Sequence, residues 1–239
     1  MEQGEKAALL RRYHHEPPIL VLPNAWDVAS AVALAAVPGV RALATTSSAV
    51  ARSHGYEDGE QAPRDEMVDA AGRIARAVAI PVTADLEAGY GDPVGTARLA
   101  WEAGIVGMNF EDSPGGVLRD VREQAELIRE IKAAVPELVL NARVDVFERE
   151  AGGVEEAVER ANAYLAAGAD CTYPLLSPND VIGELARRIG GPINVLLQAG
   201  APAPHELEQL GVARATWGGR LASLAYAEAA RVAATAYNA

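Results

Sequence analysis

Short apolar, β-branched runs alternate along the chain with longer segments of helical spacing. The runs Ile19–Leu22, Val40–Ala44, Val82–Asp85, Val106–Phe110, Leu138–Ala142, Asp170–Tyr173, Ile193–Leu196 and Ala213–Thr216 read as strands. The segments Asp27–Ala36, Arg64–Ala77, Pro93–Ala103, Val117–Ala134, Val154–Ala166, Pro178–Ile189, Ala203–Leu210 and Arg220–Ala236 read as helices. Boundaries have local causes. Gly104 and Gly168 end helices where the chain enters the left-handed region cheaply. Pro81 and Pro192 stop a segment just before a strand. Strand–helix alternation requires crossover connections and hence parallel strands. Eight such units in 239 residues predict one (β/α)₈ TIM barrel spanning residues 1–239, with no linker or second domain.

Composition narrows the function classes. Half the residues are hydrophobic, enough for a sizeable core, yet no apolar run is long enough to span a bilayer. The segment Met1–Glu16 is polar, mixed in charge and without the apolar core of a signal peptide, so a cytoplasmic location is expected. His14 and His15 within it read as exposed. A net charge of −12 argues against nucleic-acid binding, which needs a basic surface. The only lysines are Lys6 and Lys132, and neither falls at a predicted strand end, which disfavours a Schiff-base aldolase. The single cysteine, Cys171, permits no disulfide within the chain and reads as a small buried residue.

The strand ends carry the candidate chemistry, because a barrel of this kind builds its site there. The second strand leads into Thr45-Thr46-Ser47-Ser48, and the third ends in Asp85 and Glu87. The fourth brings Asn109, Glu111 and Asp112; the fifth brings Asn141, Arg143 and Asp145. Asp85, Glu87 and Glu111 brought together would repel one another and force protonation. A hard divalent cation such as Mg²⁺ relieves that conflict with oxygen ligands, and no His or Cys cluster offers a zinc site. Arg143 suits a substrate carboxylate or phosphonate, with the hydroxyl and N–H groups of Thr46, Ser47 and Ser48 at the other end of the anion. Tyr90 and His205, the latter in the loop after the seventh strand, are candidates to return a proton.

At these residues the chain resembles the isocitrate lyase/phosphoenolpyruvate mutase superfamily. The resemblance rests on Pro23-Asn24-Ala25-Trp26-Asp27, Thr46-Ser47-Ser48, Gly55-Tyr56-Glu57-Asp58-Gly59, Asp85-Leu86-Glu87-Ala88-Gly89-Tyr90-Gly91, Asn109-Phe110-Glu111-Asp112, Asn141-Ala142-Arg143-Val144-Asp145 and Ala167-Gly168-Ala169-Asp170, in that order. It implies a barrel whose C-terminal helix is swapped between subunits, a homotetramer, Mg²⁺ or Mn²⁺, and a small carboxylate substrate. It also implies Asp85 as the direct metal ligand, with Asp58, Glu87 and Glu111 as water-mediated partners. Thr46, Ser47 and Ser48 match the segment that grips the substrate carboxylate, and Arg143 matches the anion-binding arginine.

Two departures shape the expected reaction. The stretch Ser113-Pro114-Gly115-Gly116-Val117-Leu118-Arg119 lacks the cysteine of the isocitrate lyases' Lys-Lys/Arg-Cys-Gly-His loop, and the lysine and asparagine of the mutases' gating loop. Glu87 stands where an aspartate is common. The expectation is therefore a Mg²⁺-dependent lyase or decarboxylase acting on an oxaloacetate- or 2-alkylmalate-like acid through an enolate. Asp58, Arg143, Tyr90 and His205 are its catalytic candidates; Thr46, Ser47, Ser48, Asn109 and Arg143 are its substrate contacts. Phosphonopyruvate hydrolase or phosphoenolpyruvate phosphonomutase chemistry, and a non-catalytic oxyacid-binding protein, are the alternatives.

Overall fold

Nine short strands, all paired in parallel, wrap into one barrel in a computed structural model that describes residues 1–237. The final two positions of the expected domain, 238 and 239, lie outside the described residues. The strands are β1 (Leu20–Leu22), β2 (Asn24–Ala25), β3 (Leu43–Thr45), β4 (Val82–Asp85), β5 (Gly107–Phe110), β6 (Val139–Val144), β7 (Cys171–Pro174), β8 (Asn194–Leu196) and β9 (Arg214–Thr216). β1 and β2 are halves of a single barrel strand. Pro23 separates them because it has no N–H to give, while its carbonyl still accepts from Ala44 N–H. The order β2-β3-β4-β5-β6-β7 continues through a Thr172–Ile193 bridge into β8, β9 and back to β1. All eight expected strands are thus present, and the (β/α)₈ architecture holds.

The helices are α1 (Gln3–Tyr13), α2 (Val28–Ala35), α3 (Ser47–Ser53), α4 (Arg64–Ala77), α5 (Pro93–Glu102), α6 (Val121–Ala134), α7 (Val154–Ala166), α8 (Ile182–Arg188), α9 (Pro204–Gln209) and α10 (Arg220–Ala234). α4 and α7 match their expected bounds. α6 starts four residues later than expected, because the Asp120 side chain caps it by accepting from Arg122 and Glu123 N–H. Helices α1 and α3 were not legible as helices. α1 looks polar because it buries only Ala7 and Leu10. Those two pack with Leu20, Leu22, Ala42, Ala44, Val106 and Val139 and close the N-terminal end of the barrel. Gly107 makes room: a Cβ there would stand 2.9 Å from a Leu10 methyl.

His14 corrects one expectation. It is buried beneath this plug, and its Nδ1 lies 2.9 Å from Leu10 O. Burial, aided by the charge of Arg214, pushes the ring down to about 3, so it is neutral and Nδ1 carries the hydrogen. His15 is exposed, as expected. Cys171 is fully buried with its thiol pushed up to about 12 by burial, in keeping with a core role. At the other end of the chain, α10 buries only Ala222 and leaves Leu224, Tyr226 and Val232 more than half exposed. No helix among the described residues is long and apolar enough to cross a membrane.

Candidate active site

The C-terminal strand ends surround a cleft of about 190 Å³. Its lining draws on most of the barrel: Asn24 from β2, Thr46, Ser47 and Ser48 after β3, and Asp85 and Asn109 at the ends of β4 and β5. Arg143 of β6, Tyr173 of β7, Leu196 of β8 and Gly218–Gly219 after β9 complete the ring, with Asp58 reaching in from the loop before α4. The hydroxyl segment is not a loop. Thr46 is the N-cap of α3, and Ser47 and Ser48 form its first turn. That places their N–H groups and hydroxyls at a helix N-terminus, where a negative charge is favoured. Gly219 faces them closely, since a Cβ there would lie 3.0 Å from Ser48 Oγ.

Asp85 sits at the centre. Its Oδ2 accepts from Ser47 N–H at 3.3 Å and from the Ser47 hydroxyl at 3.1 Å. Its Oδ1 is shielded from solvent and has no protein partner. Burial raises the Asp85 carboxyl above the usual range, while Arg143 opposes that shift.

The other carboxylates crowd around it. Burial raises Glu87 to about 7, with the charges of Asp85 and Asp58 pushing the same way. Burial raises Glu111 to about 9; Arg143 opposes this, and Asp145, Asp85 and Glu87 add to it. The expected conflict among acids is therefore present. Glu87 is held by two donors, Tyr90 Oη–H at 2.7 Å and Glu60 N–H at 2.6 Å. Glu60 returns the contact by accepting Tyr90 N–H at 2.5 Å. This reciprocal clasp fixes the loop bearing Asp58 against the loop after β4. All three of its residues, Glu60, Glu87 and Tyr90, adopt left-handed backbone, a strain that such functional turns hold in place.

Arg143 is the cation among the lining residues. A guanidinium has five N–H groups. Nε and Nη2 donate to Asp145 at 2.5 and 2.9 Å, and Nη2 also donates to Glu148 at 2.9 Å. Nη1 faces Glu111 Oε2 at 2.8 Å. The expected open fork is thus already filled by the chain's own carboxylates, leaving Nη1 as the edge a ligand can share.

The donors suit a hard divalent ion. Asp85 offers an orphaned buried oxygen, and the raised Glu87 and Glu111 carboxyls are groups whose charged forms a cation would favour. Among the described residues no three His, Cys, Asp or Glu side chains form a ready-made cage.

Of the expected site residues, the cleft gathers Thr46, Ser47, Ser48, Asp58, Asp85, Asn109 and Arg143. Glu87, Glu111 and Tyr90 stand just behind that wall, with Tyr90 committed to Glu87. His205 is not brought to the cleft: it is exposed in the first turn of α9, outside the lining, because Pro204 begins the helix and the chain has already turned onto the surface. Lys132 pairs with Asp170 at 2.9 Å and Lys6 bonds Val78 O, so neither is available as an amine nucleophile in the cleft. Sequence reasoning passed over Glu60, Glu148 and Tyr173. Asn24 spans two strand ends, donating to Thr45 O and accepting from Trp217 N–H. The loop Ser113–Leu118 is anchored at its start, where Ser113 is fully buried, donates to Asp145 and accepts from Arg149 Nε at 3.1 Å, while Gly115, Gly116 and Val117 are exposed.

Comparisons with known proteins agree with this geometry. The family described as phosphoenolpyruvate phosphomutase matches residues 10–237. An uncharacterized protein of Mycobacterium tuberculosis is 38% identical over 208 residues, 86% of this chain and 80% of that one. A 2-methylisocitrate lyase of Bacillus subtilis is 30% identical over 226 residues, 87% of this chain and 74% of the lyase. A solved structure from Burkholderia cenocepacia J2315, described as a candidate phosphonomutase, superposes with a TM-score of 0.91 at 37% identity, covering 97% of this chain and 99% of its own. The chain belongs to the phosphoenolpyruvate phosphomutase family, within the isocitrate lyase/phosphoenolpyruvate mutase superfamily.

Proposed function

We propose that the protein is a divalent-metal-dependent lyase that cleaves a C–C bond in a small 2-oxo- or 2-hydroxycarboxylate by way of an enolate. The observation that carries this reading is the unpartnered Asp85 Oδ1 among carboxyls raised by burial and mutual repulsion. Mg²⁺ or Mn²⁺ held by Asp85, with Asp58, Glu87 and Glu111 behind its waters, would supply the positive charge that favours an enolate. The chain's own residues do the rest. Ser47 orients Asp85, the first turn of α3 offers N–H and hydroxyl donors to the substrate carboxylate, and Arg143 adds fixed positive charge opposite. Asn109 borders the same space.

The similarity to a 2-methylisocitrate lyase supports C–C chemistry. The similarity to a candidate phosphonomutase keeps P–C chemistry as the second reading. The stretch Ser113–Arg119 carries neither the lysine and asparagine of the mutases' loop nor the cysteine of the isocitrate lyases' loop, which weighs against both of those mechanisms and for a simpler enolate cleavage. The exposed apolar face of α10 supports exchange of that helix in a homotetramer, which light scattering would measure. Action in the cytoplasm on a small free acid fits this reading.

The test is a screen of small 2-oxo and 2-hydroxy acids, with one carboxylate and with two, in the presence of Mg²⁺ or Mn²⁺ and with EDTA. Metal-dependent release of a carbonyl product is expected. Phosphate release from phosphonopyruvate would favour the second reading. Tight oxalate binding without turnover of any acid would make the protein a non-catalytic binder.

A further inference from the structure

Charge in the cleft is distributed unevenly, and this bears on which acid fits. Its lining holds the carboxylates Asp58, Asp85 and Glu148 against one guanidinium, Arg143. Asp58 and Asp85 lie on the metal side. Glu148 stands in the loop after β6 and occupies Arg143 Nη2 at 2.9 Å. Arg149 also approaches Glu148 at 3.4 Å and is itself tied to Ser113 Oγ. Glu148 is therefore held as a fixed negative charge at the cleft wall, with its side chain 27% exposed. Leu175, Leu176 and Leu196 form an apolar stretch of the wall, beside the polar Tyr173, Thr216, Asn24 and Asn109.

We propose that the substrate carries a single carboxylate, as a 2-oxo acid with an uncharged, apolar tail, and that Glu148 excludes acids with a second carboxylate. This rests on the metal–oxyacid reading of the site. One carboxylate is served by the hydroxyls of Thr46, Ser47 and Ser48 and by the metal side. A second would meet leucines and the Glu148 charge, with Arg143 already shared among Asp145, Glu148 and Glu111. A like charge placed there costs binding, the repulsive element on which specificity is often built. The narrowing removes oxaloacetate- and 2-alkylmalate-like acids, which carry two carboxylates, and tricarboxylates such as 2-methylisocitrate.

The same constraint selects the bond that breaks. Decarboxylation through an enolate needs a second carboxylate on C3, so it is excluded. Retro-aldol cleavage of a 4-hydroxy-2-oxo acid is not. In that step the C4 hydroxyl gives up its proton, the C3–C4 electron pair passes into the enolate, and C4 leaves as an aldehyde. A proton then returns to C3 to give a 2-oxo acid. Protons and electrons balance without any co-reactant.

The test compares two five-carbon acids that differ at the far end, 2-oxovalerate (methyl) and 2-oxoglutarate (carboxylate). Their binding in the presence of Mg²⁺ is measured by calorimetry on the wild type, Glu148→Gln and Leu176→Arg. The wild type should favour 2-oxovalerate by about tenfold or more. Both variants should narrow or reverse that ratio, one by removing the repulsive charge and the other by adding a cation on the leucine side. Equal or tighter binding of 2-oxoglutarate to the wild type overturns the proposal. So does a ratio unchanged in both folded variants. If neither acid nor oxalate binds with Mg²⁺, the metal–oxyacid reading itself falls, and this inference with it.

Discussion

The two ends of the barrel are fed by the same strands and are built in opposite ways. At the N-terminal end, α1 lays Leu10 over Leu20, Leu22, Val106 and Val139. The histidine beneath that plug is neutral. At the C-terminal end, Asp85, Glu87 and Glu111 are pushed above their ordinary range, and the clasping loops hold three non-glycine residues in left-handed backbone. One end gains free energy by removing apolar surface from water. The other holds charges in a state that a cation would relieve, as functional sites commonly do. Stability and chemistry are thus separable here, and substitutions at the two ends should have opposite signatures.

The largest effects should fall on the two central residues. Asp85→Asn should weaken Mg²⁺ binding by more than about 100-fold, beyond the loss typical of a residue that only supports a ligand. Turnover should fall with it. Thermal stability should hold or rise, because a buried carboxyl with an unpartnered oxygen is replaced by a neutral amide. Leu10→Ala should do the reverse, costing about 2–5 kcal/mol in denaturant unfolding for a fully buried leucine. The surviving folded enzyme should keep its kcat within about twofold. A Leu10→Ala protein that stays stable but loses turnover would show that the two ends are coupled.

The pH dependence sharpens the contrast. A carboxyl whose folded value is raised stabilises the protein fully below its ordinary value and loses that contribution as pH rises through the folded value. For Glu87 this loss runs from 4.5 to about 7, and for Glu111 from 4.5 to about 9. Metal-free protein should therefore lose stability across that window, read as a Tm that falls as pH rises. Mg²⁺ favours the charged forms, so its stabilisation should grow with pH over the same range. Scanning Tm against pH with EDTA and with Mg²⁺ reads both. Parallel curves would mean that Glu87 and Glu111 do not face the ion.

A smaller effect should follow from opening the clasp. Glu60→Ala removes the acceptor of Tyr90 N–H and leaves Glu87 its backbone donor. Mg²⁺ affinity should drop by about tenfold, as for a group that positions a ligand, with about 1 kcal/mol lost in stability. A drop in stability without any change in Mg²⁺ affinity would make the clasp purely architectural.

These residues were legible in the sequence to different degrees, for physical reasons. Barrel strands show because each is a short β-branched run between glycines and prolines, and strand-end acids show because burial there is chemically expensive. The plug helix α1 did not show, because a helix that buries only two side chains has little periodicity to read. α3 was hidden because Thr46-Ser47-Ser48 is poor helix-forming sequence, held in its first turn by Asp85 accepting from Ser47. Glu60 and Glu148 were invisible, since each acts through partners distant in sequence or on a loop: Glu87 and Tyr90 for one, Arg143 for the other. That the arginine is already filled by its own chain is a fact of packing that no motif encodes.

His205 gives the smallest predicted effect and the strictest test of the contrast. By chain order it follows the loop after a barrel strand, where catalytic groups gather. By position it is exposed in the first turn of α9, outside the cleft lining. Surface substitutions away from caps and networks usually change stability by less than about 0.5 kcal/mol. His205→Ala should therefore change kcat and KM by less than about twofold at any pH between about 6 and 9. A loss of turnover that follows imidazole titration would require α9 to swing its first turn over the mouth. It would then restore His205 as the proton donor for which the cleft as built offers no histidine or cysteine.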